Sequence, residues 1–281
     1  QSTLIVAGLM LATLLFSASF VTGDTLAHSI RVVIISVTGH VDEVVRSDLR
    51  DDSGRRALFD AVVYDEVVDA LAGAPVDGVM PLIRWNVPAV NAATNRSEPV
   101  LSVLGLDAGA MDGFDPLNEL DTGRELRVED LDAHEIYLSL ESSENLRVTD
   151  GDRIDLFFGA QASSVIIAGV YDSSGNQAEP TSAVMTLAAL QGLLDVEGQI
   201  NRVYVSNTGG LVSGADHSEA VFTLLEEHFE DSDFDVDDVK RRGLEIADLI
   251  GAGFTSIFLL VGSFSIIAGI LLIFLIFVML A

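Results

Sequence analysis

The sequence contains no cysteine and only one lysine, Lys240, and these absences exclude whole classes of site. Without thiols there is no disulfide framework and no thiolate metal centre, and the redox compartment cannot be read from cysteine usage. Basic residues number 15 against 43 acidic ones, which gives a formal net charge of -28. Because a phosphate backbone repels such a chain, nucleic acid is not an expected partner.

The acidic excess, combined with the scarcity of lysine, is typical of proteins that work in concentrated salt. Carboxylates hold water and ions well, and strong screening removes the self-repulsion that a charge of -28 causes in dilute buffer. We therefore predict a halophilic source, with an archaeon as the expected organism. An acidic surface in an ordinary organism is the alternative.

Charged side chains are also absent from both ends of the chain, in residues 1–23 and 249–281. The apolar run Leu4–Val21 is close to the minimum length of a membrane-spanning helix. A secretory signal peptide is the alternative, although no basic residue precedes this run. The run Gly253–Ala281 would extend about 43 Å as a helix, which exceeds the roughly 30 Å of a hydrocarbon core.

These runs predict two transmembrane helices, in residues 1–23 and 251–281, which flank a central domain in residues 24–250. The chain starts without Met and stops inside an apolar run with no polar cap. We therefore expect both ends to be cut from a longer protein.

Small residues recur four positions apart in the apolar runs. Such pairs let helices approach closely in lipid, so we regard them as candidate helix-packing positions. Chance occurrence in segments rich in alanine, glycine and serine is the alternative. The pairs are Gly8 with Ala12, Ser19 with Gly23, and Ser265 with Gly269.

Short strand and helix patterns alternate through residues 24–250 and predict an α+β domain with mixed or antiparallel sheets. Phe59, Val63 and Val67 predict an amphipathic helix within Arg55–Leu71, although adjacent valines leave a strand open. The predicted strands include Val76–Val90, Glu98–Leu106, Glu135–Ser139, residues 153–159 and residues 202–207.

Three local signals accompany this pattern. Pro81 and Pro88 predict an edge or bulged position for the first long strand. Asp216 and Glu219 resemble a capping box before a helix. A further helix is predicted to run from about Arg242 into the second apolar segment.

The motifs of catalysis are absent from this sequence. There is no phosphate-binding GxxxxGK[ST], no G-x-S-x-G elbow and no HExxH, and the five histidines have no metal-ligand spacing. No catalytic residue, cofactor or metal is therefore expected.

The acidic segment 231–238 superficially resembles a calcium loop but lacks the glycine and the final glutamate of one. Asn95 begins the only N-x-[ST] sequon and is a candidate glycosylation site, and Trp85 is expected in the core rather than as an exposed anchor.

The order of several segments carries a family resemblance. GDTL follows the first apolar run at Gly23, and HVDEVV begins at His40. EIYLSLESSENLRVTDGDRIDLFFG begins at Glu135, and VIIAGVYD begins at Val165. The most specific segment is ADLIGAGFTSIFLLVGSFSIIAGILLIFLIFVMLA, from Ala247. Together they resemble the first transmembrane helix, the extracytoplasmic core and the second transmembrane helix of FtsX/MacB-type ABC-transporter permeases.

The resemblance implies a MacB-like periplasmic core domain outside the cell, in a multi-pass protein of the cell membrane. It implies a cytosolic ABC-type ATPase as partner, a homodimer or paired permease, and contact with the lipid bilayer. It implies no enzymatic activity for this chain. A two-span sensor with a ligand-binding ectodomain is the alternative, and the transported substrate is not specified.

Overall fold

The computed structural model describes residues 2–51, 54–173 and 179–280. In the terminal helices, the description omits the side chains of residues 2–9, 11–13, 15, 16, 18–20, 265, 268, 272, 273, 276, 277 and 280. The described residues form two compact units. The α+β unit is Ile35–Arg241, and the helical unit consists of the residues up to Ile34 and from Arg242 onward.

The described residues contain helices of very different lengths. They are α1 (Ser2–Thr38), α2 (Val62–Ala70), α3 (Leu140–Leu146), α4 (Leu187–Leu194), α5 (Gly210–Ser213), α6 (Ser218–Phe229) and α7 (Val239–Leu280). Short 3-10 helices occupy Ala108–Ala110, Val128–Asp130 and Gly214–His217.

The strands of the described residues lie in the α+β unit. They are β1 (Glu43–Ser47), β2 (Phe59–Asp60), β3 (Val76–Asn91), β4 (Arg96–Leu106), β5 (Leu117–Asn118), β6 (Glu125–Leu126), β7 (Glu135–Ser139), β8 (Arg153–Phe158), β9 (Gln161–Tyr171), β10 (Ser182–Thr186), β11 (Gln199–Ile200), β12 (Arg202–Asn207) and β13 (Phe234–Asp237).

One mixed sheet organises the α+β unit, in the order β13-β1-β12-β3-β4-β10-β7-β9-β8. Two neighbouring pairs are parallel, β10 with β4 and β7 with β9, and the other pairs of this sheet are antiparallel. The long strand β3 also pairs with β8 near its end, at Ala89 and Leu156. The predicted α+β class with a mixed sheet is confirmed.

Three apolar clusters fill the unit, and each lies on a defined part of the sheet. The first packs α3 and α4 against the strands between β3 and β8, around Leu101, Ile136 and Ile167. The second lies around Met80, Leu104 and Tyr204. The third packs α2 and α6 on β1 and β12, and its members include Val63, Val67, Val203, Val205, Val221 and Leu225.

Local periodicity located many elements correctly. β7 and β12 have the predicted bounds, and β3 and β4 extend the predicted strands by one and two residues respectively. The predicted helix from about Arg242 is confirmed as α7, which is unbroken to Leu280. These segments are predictable because alternation and helical spacing are properties of neighbouring residues.

The predicted helix over Arg55–Leu71 is too long. Only Val62–Ala70 is helical, with Val63 and Val67 buried as the spacing requires. Phe59 instead pairs with Ile200 in a short strand and packs edge-on against Phe234, with ring centroids 5.0 Å apart. Long-range pairing therefore replaces the first turns of the predicted helix.

The two prolines occupy positions that an interior strand tolerates. The register of β3 and β4 shifts between Val87 and Ala89, so Pro88 lies at a bulge as predicted. Pro81 lies within the same interior strand, away from the bulge. The carbonyl of Leu82 points toward β12, so the backbone nitrogen of Pro81 points toward β4. The pairing of β3 with β4 ends at Leu82, so this nitrogen has no partner strand opposite it. No ladder hydrogen bond is lost there.

The predicted capping box at Asp216 and Glu219 is wrong. α6 begins after His217, whose backbone is already near-helical, and no side chain caps it. Asp216 lies in the preceding 3-10 helix. A capping box needs an extended residue before the helix, and this chain enters α6 directly from another helical turn.

The terminal helices extend beyond the charge-free runs that predicted them. α1 continues from residue 24 to Thr38, and α7 starts at Val239. Asp24, His28 and Arg31 follow the charge-free run. They end its apolar character, but these residue types are compatible with helical backbone geometry. By length and composition, one helix among the described residues is able to cross a membrane, Val239–Leu271. Most side chains of Leu4–Val21 lie outside the description, so the first span stays a prediction.

Within the helical unit, α1 and α7 contact each other at glycines. A side chain at Gly251 would lie 2.6 Å from Cβ of Ala27, and one at Gly23 would overlap Thr255. The absence of a side chain at both glycines therefore lets the two backbones approach.

Replacement of Gly251 by leucine is expected to destabilise the helical unit by about 1–3 kcal/mol, because the added side chain must displace Ala27. Gly253→Leu on the same helix is the matched control, since a Cβ there meets no atom within 4 Å. Thermal unfolding of the chain in detergent measures both variants. Equal midpoints for the two variants would contradict a packed contact at Gly251.

Candidate functional site

Two fully buried carboxylates and the only lysine of the chain meet inside the α+β unit. Asp42 follows the end of α1 by four residues, and Lys240 is the second residue of α7. Lys240 Nζ lies 2.7 Å from Asp42 Oδ1, and both side chains are 0% exposed. Glu43 and Asn207 complete this group, which we name the junction cluster because it joins the points where the chain enters and leaves the unit.

Strand pairing places the members of the junction cluster. The amide of Asp42 donates to the carbonyl of Val205 at 2.9 Å, and Glu43 lies opposite Val205 in the β1–β12 register. Asn207, at the end of β12, donates from its backbone N to Asp42 Oδ2 at 2.8 Å. Its side-chain Nδ2 donates to Glu43 Oε1 at 2.9 Å. The asparagine therefore holds both carboxylates in place.

The 3-10 segment after α5 closes the cluster. Asn207 Nδ2 also lies 3.2 Å from the carbonyl of Gly214 and 3.3 Å from Ser218 Oγ. A Cβ at Gly214 would lie 2.6 Å from Asp42 Oδ2, so only glycine fits against this carboxylate. The cluster is thus enclosed by side chains and backbone from both halves of the sequence.

Burial dominates the electrostatics of the two carboxylates. It raises the pKa of Asp42, against the opposing effects of the Lys240 ammonium and the amide of Asn207. Burial raises the pKa of Glu43 to about 8, although hydrogen bonds from Ser218 and Asn207 favour its ionised form. At neutral pH Glu43 is therefore protonated, and Asp42 lies against Lys240 Nζ.

Two further polar contacts flank the cluster. His40 donates from its backbone N to Asp115 Oδ2 at 2.7 Å, and its ring Nδ1 lies 2.8 Å from the other carboxylate oxygen. Arg241 Nε donates to Asp238 Oδ2 at 2.6 Å, immediately before and within the first turn of α7. The chain is thus held by charged contacts just after α1 ends and where α7 begins.

This arrangement is suited to anchoring rather than to chemistry. An ion pair shielded from water resists separation, because removal of either partner leaves an uncompensated buried charge. Among the described residues, no group of three or more histidine or carboxylate side chains is arranged to hold a metal ion. The cluster can therefore fix the first turn of α7 to β1 and β12.

The candidate sites predicted from sequence lie elsewhere. Asn95 is exposed in the hairpin between β3 and β4, with a left-handed backbone at φ 53°. Gly23 lies against α7 in the helical unit, whereas a Cβ at Gly269 meets nothing within 4 Å. The side chains of Ala12, Ser19 and Ser265 and the surroundings of Gly8 lie outside the description.

The acidic segment and the tryptophan have structural partners. Asp235 and Asp237 of β13 bind Arg46 at 2.9 and 3.0 Å, so these two carboxylates are engaged with a guanidinium. Trp85 is partly buried against the first apolar cluster, and the guanidinium of Arg55 lies 4.3 Å from its ring centroid.

Sequence reasoning missed the junction cluster. The one available signal was Lys240, a single lysine among 15 basic residues. Asp42 and Asn207 carry no local signal, since they are ordinary polar residues, one just before β1 and one at the end of β12.

Comparisons with known proteins give only a distant likeness. No family model and no curated protein matches the sequence. The periplasmic region of MacB from Actinobacillus actinomycetemcomitans is similar in structure, with a TM-score of 0.46 and 14% identity over 74% of this chain and 94% of that one. The extracellular domain of the noncanonic ABC-type transporter YknZ from Gram-positive bacteria has a TM-score of 0.44 and 14% identity, over 69% and 98% of the two chains. At these values the likeness does not assign the chain to a family.

Proposed function

We propose that the chain is part of a permease subunit in an ABC-type transport or mechanotransmission complex. The observation that carries the proposal is the continuity of α7, which runs unbroken from Lys240 in the junction cluster to the charge-free segment. A continuous helix with one end fixed by a buried ion pair is a stiff connection between a bilayer and a folded domain.

The rest of the complex follows from the sequence resemblance. A cytosolic ABC-type ATPase would bind and hydrolyse ATP, and the permease would act as a homodimer or with a paired permease. The α+β unit would lie outside the cell, and the residue runs 1–23 and 251–281 would lie in the bilayer. Among the described residues, we assign no catalytic role to this chain.

Purification of the full-length parent protein from its own membranes tests the proposal. Mild detergent and high salt are required, since the acidic surface is expected to need screening. Mass spectrometry of the co-purifying proteins should find a stoichiometric ABC-type ATPase. A histidine kinase or chemotaxis adaptor in its place would favour the two-span sensor, and no ATPase at all would reject the permease.

Insertion of a Gly-Pro pair after Ile250 is expected to uncouple the α+β unit from the charge-free segment of α7, while the α+β unit stays folded. The insertion breaks the hydrogen-bond ladder of α7 outside the α+β unit. Because the chain has no cysteine, Asn95→Cys accepts a single spin label, whose ATP-dependent distance to its counterpart in a dimer can be measured.

The parent complex should show an ATP-dependent change in this distance, and the insertion variant should lose it with an unchanged unfolding midpoint for the α+β unit. A Gly-Pro insertion after Gly159, in the turn between β8 and β9, is the matched control. A normal ATP response in the Ile250 variant would reject transmission through α7.

A further inference from the structure

Three arginines form a row across neighbouring strands of the α+β unit. Arg46 on β1 follows the pair Val45–Val203, so it lies beside Arg202 of β12. Arg202 in turn pairs with Leu82 of β3, and Arg84 lies two residues further along that strand. We call Arg46, Arg202 and Arg84 the arginine row.

The three side chains lie on the same face of the sheet. Each arginine is two residues from a member of the second apolar cluster, namely Val44, Tyr204 and Leu82. Residues two apart on a strand project to the same side. The row therefore continues the face that the second cluster covers.

The outer two members of the row have carboxylate partners, and the central one has none among the described residues. Arg46 binds Asp235 and Asp237, and Arg84 Nη1 lies 3.8 Å from Glu179 Oε1. Arg202 is partly buried, and no carboxylate of the described part of the chain lies within 4.0 Å of its guanidinium.

An arginine in this position is electrostatically costly. Burial lowers the pKa of Arg202, and the charges of Arg84, Arg46 and Arg56 lower it further. The sequence has 43 acidic residues, so carboxylates are plentiful in this chain. An arginine with no carboxylate within 4.0 Å among the described residues of so acidic a chain is suited to a counter-ion from outside it.

We propose that the arginine row is a binding site for a small oxyanion group, a phosphate or a carboxylate, that Arg202 contacts directly. A guanidinium presents a planar fork of N–H donors that matches both groups and binds them bidentately. Arg46 and Arg84 flank this fork on the neighbouring strands and add positive potential. Such a group can belong to a free ion or to part of a larger ligand.

Thermal unfolding of the full chain in detergent, at constant ionic strength, tests the proposal. Chloride is exchanged stepwise for inorganic phosphate in one series and for acetate in another. Saturable binding is expected to raise the unfolding midpoint of the α+β unit by about 3 °C at ten times Kd. A response to phosphate alone identifies a phosphoryl ligand, and a response to acetate alone identifies a carboxylate.

Arg202→Gln should abolish the response, and Arg202→Lys, which keeps the charge but not the fork, should weaken binding at least about tenfold. Arg153→Gln, at an exposed position on β8, is the matched control for the loss of one charge and should respond like the parent. The proposal is overturned if neither anion shifts the parent, or if Arg202→Gln shifts as much as the parent does.

Discussion

Replacing Lys240 with methionine is expected to lower the free energy of unfolding of the α+β unit by about 3–5 kcal/mol. The variant leaves Asp42 fully buried with no cation beside it, and an uncompensated buried charge carries a penalty of this size. Loss of the ion pair also removes the side-chain contact that holds the first turn of α7 to the residue preceding β1.

Denaturant unfolding of the chain in detergent measures this effect. Trp85 is the only tryptophan and lies in the α+β unit, so its fluorescence reports on that unit alone. Arg153→Met removes one exposed positive charge and should change stability by less than about 0.5 kcal/mol.

A double variant separates the ion pair from simple packing. Asp42→Asn in the Lys240→Met background removes the stranded charge, so much of the lost stability should return. If the double variant is as unstable as Lys240→Met alone, the loss comes from packing and not from an uncompensated Asp42.

Glu43→Gln is expected to change how stability depends on pH. The folded protein holds the proton of Glu43 up to about pH 8, whereas the unfolded chain releases it near 4.5. The folded state therefore binds more protons between these values, and the Glu43 contribution to stability declines as pH rises from about 4.5 to 8. Glutamine has no proton to lose, so the variant should gain roughly 4 kcal/mol on the parent between pH 4.5 and 8.

Unfolding curves at intervals from pH 4.5 to 9 measure the difference between variant and parent. Glutamine preserves the acceptor for Asn207 Nδ2 and adds a donor toward Ser218, so its packing should be native-like. Glu226→Gln on the exposed face of α6 is the control for the loss of one carboxylate at the surface. A Glu43→Gln difference that does not vary with pH would mean that Glu43 is ionised in the folded protein.

Both experiments bear on the proposed coupling as well as on stability. A permease helix that transmits motion must stay attached to the domain that it moves. If Lys240→Met leaves the unit folded at low temperature but abolishes the ATP-dependent distance change, the junction cluster is part of the connection. Retention of the response would place the connection elsewhere in the chain.

The sequence by itself determined the elements whose signal is local. The alternation in Glu135–Ser139 and in residues 202–207 is enough to give β7 and β12, because successive side chains of a strand point to opposite faces. The charge-free run after residue 248 indicates a helix, because this signal also lies in consecutive residues. Where a partner distant in the chain competes, as at Phe59, the local pattern predicted the wrong structure.

Only the tertiary structure decided which polar residues act together. Asn207 reaches Asp42 across 165 residues of sequence, and Lys240 reaches the same carboxylate from the start of α7. The arginine row likewise unites three strands from separate parts of the chain. The sequence does not distinguish a buried carboxylate from a solvated one, because they differ only in whether folding removes their hydrating water.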